Sequence, residues 1–274
     1  MAVGLLMVAG GAAAGLFGSL LGLGGGILIV PLLTLGFGLD LREAVGVSLV
    51  AVIVTSGASA GVYLQRHVAN LRLGMTLELF TAVGALIGGL IAFLLSEQVL
   101  AGLFAAMLIY VAVAMLRPRA DAAAAAGDPP APEAEPAAPS LGVDLGGPGY
   151  TIRRFRLGAV GSVLAGVTSA LLGVGGGLVK VPVMHLVMGV PLRTATATSN
   201  LMIGVTASAS AIIYVLRGEV DPLVAGPTAI GVFLGATLGS RTAHRVDLRI
   251  LRWLFVVVLL YTAVQMVRRA LALA

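Results

Sequence analysis

A chain of 274 residues with 59% hydrophobic and only 11% charged residues lies far from ordinary soluble domains, which are about 45–50% apolar and about 25% charged. Its net charge of +5 comes from basic residues set between apolar runs, which points to membrane topology rather than to nucleic acid. The absence of cysteine excludes disulfides, thiol catalysis and cysteine-based metal sites, and with a mean hydropathy of +1.07 the composition predicts an all-α polytopic membrane protein.

In chain order, Met1-Ala2-Val3-Gly4 lacks a basic n-region, so the start does not read as a cleaved signal peptide. The stretch 2–38 is too long for one straight span of about 20 residues. It is interrupted by Gly22-Leu23-Gly24-Gly25-Gly26 and then Pro31. It reads as two legs meeting at the glycines, either a re-entrant hairpin or two short spans; the alternative is one long broken helix that crosses once. Apolar spans follow at 41–64, 72–95 and 98–116. Residues 117–152 hold a five-alanine run, Pro129, Pro130, Pro132, Pro136 and Pro139, and five acidic residues. With so few large apolar residues this is predicted to be a flexible loop outside the bilayer. The stretch 156–189 repeats the features of 2–38, and spans follow at 192–216, 222–242 and 251–269. The domains are therefore a first membrane repeat (1–116), a linker (117–152) and a second membrane repeat (153–274).

The two halves are copies at an offset of 151 residues. Gly22–Gly26 falls on Gly173–Gly177, Pro31 on Pro182, Gly38 on Gly189, Arg42 on Arg193, Ser48 on Ser199, Thr55 on Thr206, Ser59 on Ser210 and Tyr63 on Tyr214. Between 15–64 and 166–215, 21 of 50 positions are identical, and the register runs on to Gly235 and Gly239. Runs of glycine, proline and arginine in one register mark a duplication.

Arginines bear on the topology. With the linker inside, the hairpin reading places 12 arginines inside and four outside; the single-crossing reading places 10 and six. The positive-inside rule favours the hairpin. Each half then crosses an odd number of times, so the fold class is two inverted-topology repeats, each a Gly-broken helical hairpin followed by three transmembrane helices. Broken helices in inverted repeats recur in secondary transporters. The GxxxG pairs Gly11/Gly15, Gly18/Gly22, Gly57/Gly61, Gly84/Gly88 and Gly235/Gly239 are read as close helix contacts.

GLGGGILIVPLL and GVGGGLVKVPVM resemble the paired signatures of the TauE/SafE family of anion permeases, the sulfite exporter or toluene-sulfonate uptake permeases. The resemblance covers nearly the whole chain outside the linker. It implies transport of a small organosulfur, sulfur-oxyanion or organic-acid anion across the cytoplasmic (inner) membrane.

The residues themselves agree with an anion. The second leg of each hairpin starts with N–H groups that lack intrahelical partners, at the positive end of a helix dipole. Gly24, Gly25 and Gly26, and Gly175, Gly176 and Gly177, leave the backbone open to an oxyanion; the other reading is that they only allow a tight turn. Lys180, mated with Ile29, is the only lysine in the chain. A cation at mid-bilayer costs about 2.5–3.5 kcal/mol, which a bound anion offsets, although a crevice-lining lysine is the competing reading. Ser48, Ser199 and Asn200 supply further donors, and Thr55, Ser56, Thr206 and Ser208 are weaker candidates. Glu78, mated with Ala229, is placed at the interface, with proton coupling as the other reading. His185 is read as a packing residue or a proton carrier, His67 and His244 as solvated, and Trp253, Tyr63 and Tyr214 as interfacial anchors.

No HExxH, GxSxG or P-loop motif occurs, so no enzyme, ATP-driven pump or cofactor is expected. The expected partners are a small anionic substrate, a coupling proton or sodium ion, membrane lipid and a second copy of the chain, with no nucleic acid. A passive anion channel and a non-transporting scaffold are the rival readings.

Overall fold

The computed structural model describes residues 2–20, 25–65, 69–116, 145–147, 150–242 and 248–272. Among these there are ten α-helices and no strand: α1 (Ala2–Leu20), α2 (Gly26–Pro31), α3 (Leu41–Gln65), α4 (Leu71–Leu94), α5 (Glu97–Leu116), α6 (Phe155–Leu172), α7 (Gly177–Pro182), α8 (Leu192–Leu216), α9 (Pro222–Thr242) and α10 (Leu248–Ala272). Among the described residues, six helical stretches are long and apolar enough to cross a bilayer, and the chain is a multi-pass membrane protein. The predicted spans match helices α3–α5 and α8–α10 to within a few residues.

In both broken stretches the chain turns back on itself. α2 and α7 each end at a proline, Pro31 and Pro182, and continue as a five-residue π turn, Leu32–Gly36 and Val183–Val187. Proline has no N–H to donate and its ring crowds the carbonyl four residues back, and in each leg the helix widens directly after it. Each second leg is thus 11 residues long, about 16 Å, roughly half a bilayer core. A Cβ at Gly10 of α1 would lie 2.9 Å from Leu32, and one at Gly161 of α6 would lie 2.7 Å from Val183. The Arg153 N–H, just before α6, donates to the Met188 carbonyl at 3.0 Å. The second legs therefore return along the first, as the two-leg reading expects.

The halves interlock. α1 packs along α9, and its repeat equivalent α6 packs along α4. Small residues make both seams: Gly11 and Gly15 face the backbone of Thr228 and Val232, while Gly84 and Gly88 face that of Val163 and Val167. With no hydrophobic drive between helices in lipid, such backbone proximity supplies the packing contacts. A Cβ at Gly57 would meet nothing within 4 Å among the described residues, so the close contact read into Gly57/Gly61 is not seen at that position.

The equivalent helices α3 and α8 also pack together, as do α5 and α10. Gly46, near the start of α3, lies against the Glu219 carbonyl beyond the end of α8, while Ser56 further along α3 bonds Asn200 in the first half of α8. α3 and α8 thus run in opposite directions.

On α4 one face carries Leu73, Gly74, Leu77, Glu78, Thr81, Ala85 and Gly88, all buried. Met75, Leu79, Val83, Leu86 and Leu90 are exposed at helical spacing, the face a lipid tail would cover. The described C-terminal end of the predicted linker packs on the helices. Leu145, Tyr150 and Ile152 pack on Leu73, Leu77, Met184 and Met188, and Asn70 Nδ2 donates to the Leu145 carbonyl and to Tyr150 Oη at 2.9 and 2.8 Å. Residues 145–147 and 150–152 have enough apolar and aromatic groups to dock; 117–144, 148 and 149 lie outside the described residues.

Candidate functional site

The two hairpin tips meet. At the second tip Gly173, Gly175 and Gly176 have φ of +68°, +81° and +75°, and at the first Gly25 has +77°. These are left-handed conformations that L side chains rarely adopt. The fold therefore needs glycine here whatever else the glycines do, which supports the tight-turn reading without excluding the other. Gly24 lies outside the described residues.

Ser48 of α3 joins the tips. Its hydroxyl faces the Gly173 carbonyl at 2.8 Å and the Gly26 carbonyl at 3.2 Å. A Cβ on Gly26 would stand 2.6 Å from the Gly173 carbonyl oxygen. The repeat equivalents Val52 and Ile203 close the junction. Val52 lies against Gly26 and Gly175, and Ile203 against Gly175 and Gly177. Ser48 is thus committed to main-chain carbonyls rather than free to donate to a ligand.

Its equivalent, Ser199 of α8, differs. The Ser199 hydroxyl is buried with no hydrogen-bond partner among the described residues, and it lies 3.4 Å from where a Cβ on Gly177 would be. At that leg the N–H groups of Val179 and Lys180 both turn to the Gly176 carbonyl, at 3.2 and 3.1 Å. The earlier N–H groups of the leg have no partner four residues back.

Lys180 is 1% exposed. Its Nζ donates to Glu78 Oε2 at 2.9 Å and to Thr206 Oγ1 at 2.6 Å. Thr206 Oγ1 is also 2.6 Å from Glu78 Oε1 and 3.1 Å from the Met202 carbonyl. Three helices supply this triad: α4, the second leg of the second hairpin, and α8. Glu78 is buried at 7% exposed, which corrects its placement at the interface. Its position a turn or two into the helix suits an interface, but its face is the one turned to α6 and α8. Two charged residues that break the repeat, Lys180 for Ile29 and Glu78 for Ala229, meet each other.

Asn200 is 9% exposed, and among the described residues its side-chain amide makes no hydrogen bond. Its carbonyl accepts from Ser56 of α3 at 2.8 Å, and the same hydroxyl accepts from the Gly204 N–H at 3.0 Å. A hydroxyl from one repeat thus stands between a carbonyl and an N–H that an uninterrupted helix joins directly.

The structure brings together Gly25, Gly26, Gly175, Gly176, Gly177, Ser48 and Ser199 around the tips, and sets Lys180 and Asn200 beside them on the same two elements. Ser56 and Thr206, weaker candidates by sequence, join this cluster through Asn200 and Lys180. Tyr214 is not an interfacial anchor: it is fully buried and donates to the Ala170 carbonyl at 2.9 Å. Trp253 is 62% exposed, as an anchor would be. His185 sits with Nδ1 2.9 Å from the Val190 carbonyl, a local packing contact. The side chain of Tyr63 and residues His67 and His244 lie outside what is described.

Residues 7–266 match the family described as Sulfite exporter TauE/SafE. The chain is similar to the probable membrane transporter protein YunE of Bacillus subtilis (strain 168), 26% identical over 96% of this chain and 97% of that one. It is also similar to a probable membrane transporter protein of Xylella fastidiosa (strain 9a5c), 28% identical over 88% of this chain and 85% of that one. A third relative is the probable membrane transporter protein YdhB of Bacillus subtilis (strain 168), 22% identical over 81% and 82%. No solved structure matches the chain.

Proposed function

Because the chain belongs to the Sulfite exporter TauE/SafE family of membrane transporters, we propose that it is a secondary transporter of the cytoplasmic (inner) membrane for a small sulfur oxyanion, organosulfonate or organic-acid anion. Its halves act as inverted repeats with the linker in the cytoplasm, and the substrate is exposed alternately to either side. The opposite run of α3 and α8 and the distribution of arginines support this topology.

The observation that carries the reading is the meeting of the two glycine tips beside a buried Ser199 hydroxyl that has no partner among the described residues. Two returning half-spans, each opening on N–H groups at a dipole's positive end, favour negative charge between them. Gly24–Gly26 and Gly175–Gly177 shape the pocket, Ser199 and Asn200 donate to the oxyanion, Ser48 holds the tips together, and Lys180 supplies positive charge. Val52 and Ile203 swing aside to admit the substrate.

The test is counterflow of radiolabelled sulfonates and sulfite in proteoliposomes. Saturable exchange is expected, and Ser199→Ala should weaken apparent affinity about ten- to a hundredfold, the range for a hydrogen bond to a charged group. Linear, non-saturating flux would make the protein a channel, and no flux of any such anion would overturn the reading. A non-transporting scaffold is the second reading, favoured by the internal neutralisation of Lys180 by Glu78; saturable counterflow would exclude it.

A further inference from the structure

Resting on the transport reading above, we propose that Glu78 is the proton site of transport, and that the substrate anion replaces the Glu78 carboxylate as the counter-ion of Lys180. One proton then enters with each monovalent anion.

The argument begins with the count of charges. The buried site holds one ammonium and one carboxylate, 2.9 Å apart, and is neutral as it stands. Adding an anion beside Lys180 leaves two negative groups for one positive one in a low-dielectric interior. An uncompensated buried charge is costly. The charge is balanced if Glu78 takes a proton from the water on the side then open: Lys–NH3+ paired with Glu–COO−, plus H+ and X−, becomes Lys–NH3+ paired with X− beside Glu–COOH. No bond other than the O–H bond forms, and net charge is conserved for a monovalent anion.

Thr206 makes both states satisfiable. A threonine hydroxyl has one donor and two acceptor positions. With Glu78 ionised, Thr206 accepts from Lys180 and donates to Glu78 Oε1. With Glu78 protonated at Oε1, the carboxylic acid donates to Thr206, whose own hydrogen turns to the Met202 carbonyl, already 3.1 Å away. The hydroxyl hydrogens of Glu78 and Thr206 both keep an acceptor in this exchange, and the third N–H of the Lys180 ammonium is available to the anion.

Among the described residues, Lys180 is the charged group that meets Glu78. On α4, Arg72 is exposed, and on α6, Arg156 is exposed. In the π turn after Pro182, His185 Nδ1 sits against the Val190 carbonyl. On α8, the first turn that carries Arg193 lies more than three turns before Thr206, and the Tyr214 hydroxyl is committed to Ala170 at the other end. The charged group bearing on Glu78 is Lys180. The symmetry-related positions, Ile29 and Ala229, carry no charge, so the device is single.

The full-length protein in proteoliposomes tests this with methanesulfonate, whose charge is constant across the physiological pH range. A pH gradient is expected to drive its accumulation toward the acid-opposed side by about tenfold per pH unit, the ratio fixed by one proton per anion. A trapped pH dye should record one proton for each methanesulfonate taken up. In Glu78→Gln, exchange is expected to persist at a rate that no longer follows pH, with pH-driven accumulation lost; Thr206→Ser should retain coupling and Thr206→Val should lose it. Wild-type counterflow without proton uptake would overturn this inference and leave the transport reading standing, as would pH-driven accumulation by Glu78→Gln. Wild-type protein with no counterflow at all would overturn both. The dye measurement on the wild type decides the matter even if a variant fails to fold.

Discussion

The Ser56 hydroxyl accepts a hydrogen bond from the Gly204 N–H while donating to the Asn200 carbonyl, so a side chain of the first repeat is built into the helical ladder of the second. Gly204 is what lets it in: a Cβ there would lie 2.8 Å from Ser56 Oγ. The reverse arrangement is not available, since Ser56 maps onto Ala207 and Gly204 onto Ile53. An inserted hydroxyl is a recognised origin of helix bending, and this one falls between the Ser199–Asn200 pair and Thr206.

Replacing Ser56 with alanine therefore tests whether the insertion serves movement or stability. The ladder of α8 can close on itself, because Gly204 N–H and Asn200 C=O are ordinary partners four residues apart. The expected change in stability is small, within about 1 kcal/mol. Gly204→Ala should cost more, about 1–3 kcal/mol, because the new methyl collides with Ser56. Thermal unfolding in detergent would separate the two, and a markedly slower transport rate in Ser56→Ala at unchanged melting temperature would assign the insertion to motion.

The spans were legible because twenty apolar residues have few alternatives in a chain this hydrophobic, and the hairpins because glycine, proline and arginine recur in one register. Side-chain direction was less legible. Glu78 looked interfacial by its distance from the helix end, yet α4 turns Leu77, Glu78 and Thr81 inward and Leu79, Phe80 and Val83 outward. Periodicity is weak evidence in a helix that is apolar all round. A usable signal was present: Glu78 and Lys180 are opposite charges that each break the repeat, and buried membrane charges tend to pair. Tyr214 was missed for a related reason, since a phenol can lie at an interface or reach a buried carbonyl. The Ser56 insertion had no counterpart in sequence, because it depends on two helices crossing at one residue.

The glycine seams should divide sharply by position. Gly84 and Gly88 lie against the backbone of Val163 and Val167, and Gly235 against that of Ala12. Backbone cannot move aside as a side-chain tip can, so Gly84→Leu, Gly88→Leu and Gly235→Leu should abolish folded yield. Gly57→Ala, whose Cβ would meet nothing within 4 Å among the described residues, should be tolerated and even slightly stabilising, by about 0.5–1 kcal/mol of helix propensity. Size-exclusion profiles of the purified variants would check both halves of this expectation.

Ser48 and Ser199 occupy equivalent positions but should respond differently to alanine. Ser48→Ala strips the hydroxyl from two buried carbonyls, Gly26 and Gly173, and should cost about 1–3 kcal/mol. Ser199→Ala removes a buried hydroxyl that has no partner among the described residues, so melting temperature should hold or rise while anion affinity falls. If instead both serines proved equally important for stability, Ser199 would be structural and the oxyanion role assigned to it would fail.

The Lys180–Glu78 pair should behave as one unit. Lys180→Met leaves the Glu78 carboxylate buried and unpaired beside Thr206, and breaking such a pair typically costs about 3–5 kcal/mol. Glu78→Leu alone strands the ammonium and should cost a similar amount. The double variant Lys180→Met/Glu78→Leu removes both charges and approaches the apolar pair that the repeat already carries at Ile29 and Ala229. It should recover most of the lost stability, giving a coupling energy of several kcal/mol in a double-mutant cycle. Yet it should not move anions, since neither the cation nor the proton site remains. A double variant as stable as the wild type but still able to concentrate anions would place the transport chemistry elsewhere; one as unstable as the single variants would show that the buried pair holds the fold through contacts other than its charges.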